Sequence, residues 1–174
     1  MGSVYGFDFP ALPLSWLSWL ATTDLRLTVY AWRGLYGAVR FLHLVSMATF
    51  VGTVVILDLR GLGLFPPAAL DAARPRLGRV LTISFALALG TGVALFLRDP
   101  IGAGLHTMFV PKLVLIAVGY GFARWLRPRL RRVRRAGAMV SLAIWLLVIG
   151  ASTWNHVERP VRVGEGLRLH TLGK

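Results

Sequence analysis

Not one of the 174 residues is cysteine. That excludes disulfides, thiolate nucleophiles, iron–sulfur clusters and Cys-ligated zinc, and leaves any metal to be held by His, Met or carboxylate. Acidic side chains are nearly as scarce: 7 Asp+Glu stand against 20 Lys+Arg, a net charge of +13. Charged residues make up 16% of the chain, where an average soluble domain carries about a quarter. With 56% hydrophobic residues and a mean hydropathy of +0.65, the composition does not describe a water-soluble surface. A nucleic-acid module would spread its Lys and Arg over a solvated face. Here they cluster between long apolar runs, so the expected partner is the lipid bilayer and not nucleic acid.

The apolar runs are long enough to measure against a membrane. Eighteen residues from Val80 to Leu97 carry no charge, nor do the seventeen from Phe41 to Leu57. At about 1.5 Å per residue each comes close to crossing a hydrocarbon core of roughly 30 Å, with flanking residues completing the span. From Pro100 to Ala123 the one charged side chain is Lys112, and from Ala136 to Val157 there is none. The pattern predicts an all-α integral membrane protein, one domain over 1–174, with spans at about 33–62, 79–98, 106–126 and 136–157 and a polar tail at 158–174. Ahead of the spans, Trp16, Leu17, Trp19 and Leu20 alternate with Ser15, Ser18 and Thr22. This predicts an amphipathic helix over about 11–24 lying in the interface. Neither a basic n-region nor an A-x-A site marks that stretch as a signal peptide, so it is expected to stay in the mature protein.

Seven arginines fall between Arg124 and Arg135, and Arg60, Arg74, Arg76 and Arg79 lie between the first two spans. The positive-inside rule assigns both loops to the cytoplasm. The N-terminus, the loop around Asp99 and the C-terminal tail are then periplasmic, in a bacterial inner membrane. Asp58 and Arg60 close the first span and read as an ion pair or helix-end anchor at the inner interface. Ala86, Gly90 and Ala94 have the small-xxx-small spacing that lets helices approach closely.

With this topology His43, His106 and His156 all fall toward the outer ends of their spans. Tyr36, Arg40, His43, Met47, Phe50 and Val54 follow helical spacing and share a face. An ionisable side chain at membrane depth is a functional hypothesis by default. For His43 the readings are haem or metal ligation, proton or quinone chemistry, or an interhelical hydrogen bond. A four-helix bundle can hold haem b between inward histidines, with arginines pairing to propionates. His43 is then the first iron ligand, His156 or His106 the second, and Arg33 and Arg40 supply countercharge. Copper on His43, Met47, His106 and Met108 is the weaker metal reading, because methionine in an apolar helix is usually core. Lys112, about 9 Å along a continuous helix from His106, either snorkels outward, pairs with an anion or acts catalytically on a proton or substrate carboxylate.

The runs FLHLVSMATFVGTVVILDLRGLGL, PKLVLIAVGYGFARW and AGAMVSLAIWLLVIGAS resemble an uncharacterised bacterial family of small four-helix membrane proteins. Its first span carries H-L followed by a D-L-R-x-L-G exit, and a lone lysine opens its third. More distantly, the single histidine of the first span and the single lysine of the third resemble the HemJ-type protoporphyrinogen oxidases and the CopD-type copper-resistance domains. Both are similar to b-type membrane cytochromes. The HemJ likeness implies that His43 is the haem-linked histidine and Lys112 the essential lysine. The leading expectation is a haem b protein passing electrons between membrane quinone and a periplasmic redox partner. A porphyrinogen oxidase and a non-catalytic anchor or assembly subunit of a larger complex are the alternatives.

Overall fold

The computed structural model describes residues 12–24, 33–65, 73–123 and 134–157; the side chains of 33, 74, 134 and 155–157 lie outside that description. Among the described residues all the regular structure is helical: α1 (Leu14–Ala21), α2 (Arg33–Leu62), α3 (Arg74–Arg98), α4 (Pro100–Gly104), α5 (Phe109–Gly121) and α6 (Arg134–Val157). Three of these are long and apolar enough to cross a membrane, over Gly34–Leu62, Pro75–Arg98 and Arg135–Trp154. At 30, 25 and 24 residues they run roughly 45, 37 and 36 Å, more than the thickness of the hydrocarbon core.

Local sequence sets where the helices stop. Gly63 takes φ +86°, and the amides of Gly63 and Leu64 donate back to the carbonyls of Arg60 and Leu59 at 3.0 and 3.1 Å. This is the Schellman arrangement, which consumes carbonyls that would otherwise end the helix unpaired and favours glycine at the left-handed position. At the opposite end Asp99 separates α3 from α4. Its Oδ1 accepts from the Gly102 amide at 2.9 Å, and Pro100 occupies the first helical position, where its missing N–H costs nothing.

Helices α2 and α3 pack along each other, α6 lies against both α2 and α5, and α1 docks on α4. All four long elements meet in one core. Phe50 and Val54 from α2 join Trp145 and Val148 from α6, with Leu81 and Phe85 of α3 and Leu115 and Ile116 of α5 packed around them. Phe50 sets its ring edge-on to Trp145, centroids 4.7 Å apart, and tilts against Phe85 at 5.2 Å; Phe85 stacks in turn on Tyr120 of α5 at 4.6 Å. Edge-to-face and offset pairs follow the ring quadrupole and supply packing where lipid removes the hydrophobic drive. The outer faces are apolar and open, with Phe41 70%, Leu146 65% and Leu147 58% exposed. No water-soluble monomer sustains such continuous apolar faces. The chain is a helical membrane protein whose long helices contact lipid.

Within the span expected at about 106–126, Phe109–Gly121 is α-helix, 13 residues or roughly 20 Å, and residues 124–126 lie outside the description. The Gly-rich approach folds separately as α4 and a turn, in which Phe109 donates to the His106 carbonyl at 3.0 Å. Ala86 and Gly90 are exposed, and a Cβ at Gly90 would meet nothing within 4 Å. The close approach to α2 uses Ser84, Ala88 and Gly92, an equally small register two residues away that also turns Thr91 inward. Asp58, four residues before the end of α2, is fully buried.

Candidate functional site

The stripe beginning at Tyr36 becomes progressively more buried along α2. Arg40 is exposed, Tyr36, His43 and Met47 are half-buried, and Phe50 and Val54 are in the core. His43 is therefore the polar residue of that stripe that enters the bundle. Its Nδ1 lies 2.9 Å from Thr91 Oγ1 on α3. The imidazole rests in a notch opened by glycine: a Cβ at Gly92 would come within 3.3 Å of Cε1 and 3.8 Å of Nδ1. Nδ1 thus faces α3, and Nε2 lies beyond 4 Å of the Gly92 Cβ position.

Helix rungs give the depth of the other candidates. Phe96 of α3 stacks on Phe109 of α5 with centroids 5.2 Å apart. Thr91 is five residues inward of Phe96 and Lys112 three residues inward of Phe109, so the two differ in depth by about 3 Å. By this rung count His43 and Lys112 lie at a similar depth. The ammonium stands 5.6 Å from the centroid of Phe109, a weak cation–π contact one turn from its own backbone. Within the bundle this layer sits roughly 10 Å above the aromatic core, since His43 is seven residues from Phe50.

Other candidates lie farther toward the α4 end. His106 is in the α4–α5 turn, on the order of 10 Å outward of the His43 layer, and its backbone amide donates to Ala103 at 3.4 Å. On α6, His156 is eleven residues beyond Trp145, which places its backbone about 6 Å outward of His43; its side chain, like that of Arg33, lies outside the described residues. Arg40 donates through Nη1 to Tyr36 Oη at 3.5 Å, and Arg98 of α3 covers the same tyrosine ring at 3.4 Å from its centroid. Two guanidiniums from adjacent helices thus gather at one ring, above the His43 layer.

A small helix covers this end. Leu17 of α1, wholly buried, rests where Gly104 has no side chain: a Cβ there would come within 2.6 Å of Leu17 Cδ2. Trp16 stacks on Phe96 at 6.2 Å. The rings of Trp16, Phe96 and Phe109 therefore run from α1 to the Lys112 ammonium. Asp58 is on the other side of the core, fifteen residues from His43, about 22 Å away, and belongs to no common site with it.

Thr91, Gly92, Tyr36 as a shared platform and Arg98 were not legible as site residues in the sequence. Thr91 and Gly92 matter because of the α2–α3 register, and no spacing within either helix encodes it. Among the described residues no three of His, Asp and Glu gather closely enough to hold a metal ion. Haem iron is different, because the porphyrin supplies four nitrogens and asks the protein for one or two axial ligands.

These features define a class, a helical membrane protein with a polar layer inside its bundle. Comparison of the chain with protein-family models, curated proteins and solved structures finds no match.

Proposed function

We propose that this protein is a four-span membrane redox protein that binds haem b through His43 and passes single electrons between membrane quinone and a partner at the membrane surface. The observation that carries the reading is the His43 layer. One imidazole enters the bundle and is oriented through Nδ1 by Thr91. Metal-binding histidines characteristically have the other ring nitrogen fixed in this way. Cationic groups stand where carboxylate propionates would be recognised: Lys112 in the layer, Arg40 and Arg98 above it. When bound, the haem supplies a one-electron couple whose potential depends on axial ligand and burial. His156, on the helix packed against α2, or His106, in the α4–α5 turn, is the second ligand in this reading.

In this reading α5 belongs to the fourth span. Both arginine-rich loops are cytoplasmic, the termini are periplasmic, and the membrane is the bacterial inner membrane. The test is the dithionite-reduced minus air-oxidised absorption spectrum of detergent-purified protein beside its His43→Ala variant. A b-type α-band present in the wild type and lost in the variant is expected. A chain produced with ample haem that carries none overturns the reading.

A second reading is favoured by one observation, the common depth of Lys112 and His43. A HemJ-like porphyrinogen oxidase needs a cation beside its haem-linked histidine to receive a substrate carboxylate or a proton. Porphyrinogen turnover that falls with Lys112→Met while the haem spectrum persists distinguishes it from simple electron transfer.

A further inference from the structure

We propose that Thr91 is the positioning residue of this site: its hydroxyl fixes His43 in the Nδ1–H tautomer and so presents the bare Nε2 lone pair to the ligand. The argument is a proton count. A threonine hydroxyl has one proton and two lone pairs. Thr91 Oγ1 lies 2.6 Å from the Leu87 carbonyl and 3.2 Å from that of Ala88 on its own helix. These are the back-bonds that helical threonines form one turn earlier. Carbonyls only accept, so the hydroxyl proton is committed to them. Toward α2 the oxygen can offer only a lone pair, and the His43 Nδ1 lying 2.9 Å away must be the donor. Thr91 therefore asks the imidazole for a proton at Nδ1, and a neutral imidazole has one to give.

Nε2 is therefore deprotonated before any ligand arrives. This is the form that donates a lone pair to iron or accepts a hydrogen bond from an incoming group. Gly92 completes the device, since a side chain there would push on Cε1, between the two nitrogens. The consequence for iron rests on the haem reading above, whereas the tautomer does not.

The experiment uses the full-length protein in detergent with Thr91→Val, nearly isosteric but without the hydroxyl, and Thr91→Ser, which keeps it. The first readout needs no haem: ¹⁵N NMR of histidine-labelled apoprotein, with the His43 signals identified by their loss in His43→Gln. In the wild type and Thr91→Ser, His43 is expected as Nδ1–H with a bare Nε2, and in Thr91→Val it shifts toward Nε2–H. An Nε2–H ring in the wild type, or a tautomer unchanged in Thr91→Val, overturns the proposal. The second readout is ferric haem affinity and midpoint potential. Loss of an outer hydrogen bond of this kind weakens metal binding by about 10- to 100-fold. Thr91→Val is expected to lose that much and to move to a higher potential, because the imidazole donates less to the ferric state, while Thr91→Ser stays near the wild type. Equal losses in both variants would mark a packing effect and also overturn the proposal. Wild-type protein that takes up no haem would sink the redox reading alone, and the tautomer measurement would still decide the role of Thr91.

Discussion

Gly92 is the residue at which the His43 layer is most open to a mild perturbation. An added Cβ would sit 3.3 Å from Cε1, tight enough that the imidazole must move by a few tenths of an ångström, yet short of a clash that blocks helix packing. Gly92→Ala is expected to leave the protein folded and to broaden or shift the haem absorption bands. Gly92→Val, with two further methyl groups on the same site, is expected to abolish haem binding while helix content measured by circular dichroism is kept. A Gly92→Val protein with an unaltered spectrum would show that the ring does not rest there. The same substitutions at Gly90, where nothing lies within 4 Å, are expected to be silent, which makes Gly90→Val the matched control. Reasoning from sequence could single out His43, because an imidazole on an otherwise apolar inward stripe is rare and expensive. It could not tell Gly90 from Gly92. Both lie in a small-residue repeat, and only the rotation of α3 about its axis decides which repeat faces α2.

The elements differ in how much of them the sequence announces. Long helices in a membrane protein are legible because lipid demands an unbroken apolar run with every backbone group paired internally, and α2, α3 and α6 lie where those runs are. Helix α4 is less legible, since five residues of PIGAG have no periodicity. The docking of α1 on α4 depends on a long-range fit between Leu17 and Gly104. That contact supports a second prediction. The chain lacks cysteine, so a single introduced thiol reports its own surroundings. Leu17→Cys is expected to react slowly with a membrane-permeant maleimide and the neighbouring exposed Ser18→Cys quickly. A thiol keeps only part of a leucine's packing in such a notch, about 1 kcal/mol, which corresponds to roughly 5-fold protection. Adding Gly104→Val fills the notch and is expected to bring the Leu17→Cys rate up to that of Ser18→Cys. A Leu17→Cys that reacts freely from the outset would show that α1 does not stay docked. Within the core, Phe50→Ala removes the ring shared by Trp145 and Phe85 and is expected to lower stability by about 3–5 kcal/mol, read as detergent-solubilised thermal unfolding, with Phe50→Leu losing much less.

At the scale of the whole molecule the open question is how α5 sits, and the number of crossings turns on it. Its 13 helical residues cover roughly 20 Å, short of the hydrocarbon thickness. Yet it packs against the full-length α6 and brings Tyr120 into stacking contact with Phe85, at the level of the common core. A helix that reached only partway and turned back would leave α6 starting at the α4 end of the bundle. Instead Arg135, near the start of α6, comes to about 4.0 Å from the Cβ position of Gly63, just past the last turn of α2. The two ends meet, which is what the proposed fourth crossing predicts. In the proposed topology the arginines from Arg124 to Arg135 are the retention signal for that face. Single-cysteine variants again decide the matter. Thr23→Cys and Lys174→Cys, labelled with an impermeant maleimide in right-side-out vesicles, are expected to react alike from the periplasmic face, and Gly63→Cys only after the vesicles are opened. Were α5 not to cross, Thr23→Cys and Lys174→Cys would react from opposite faces. Reaction of Gly63→Cys in sealed vesicles would mean that the bundle is inverted and that the His43 layer lies toward the cytoplasm, where its electron partner would have to be sought.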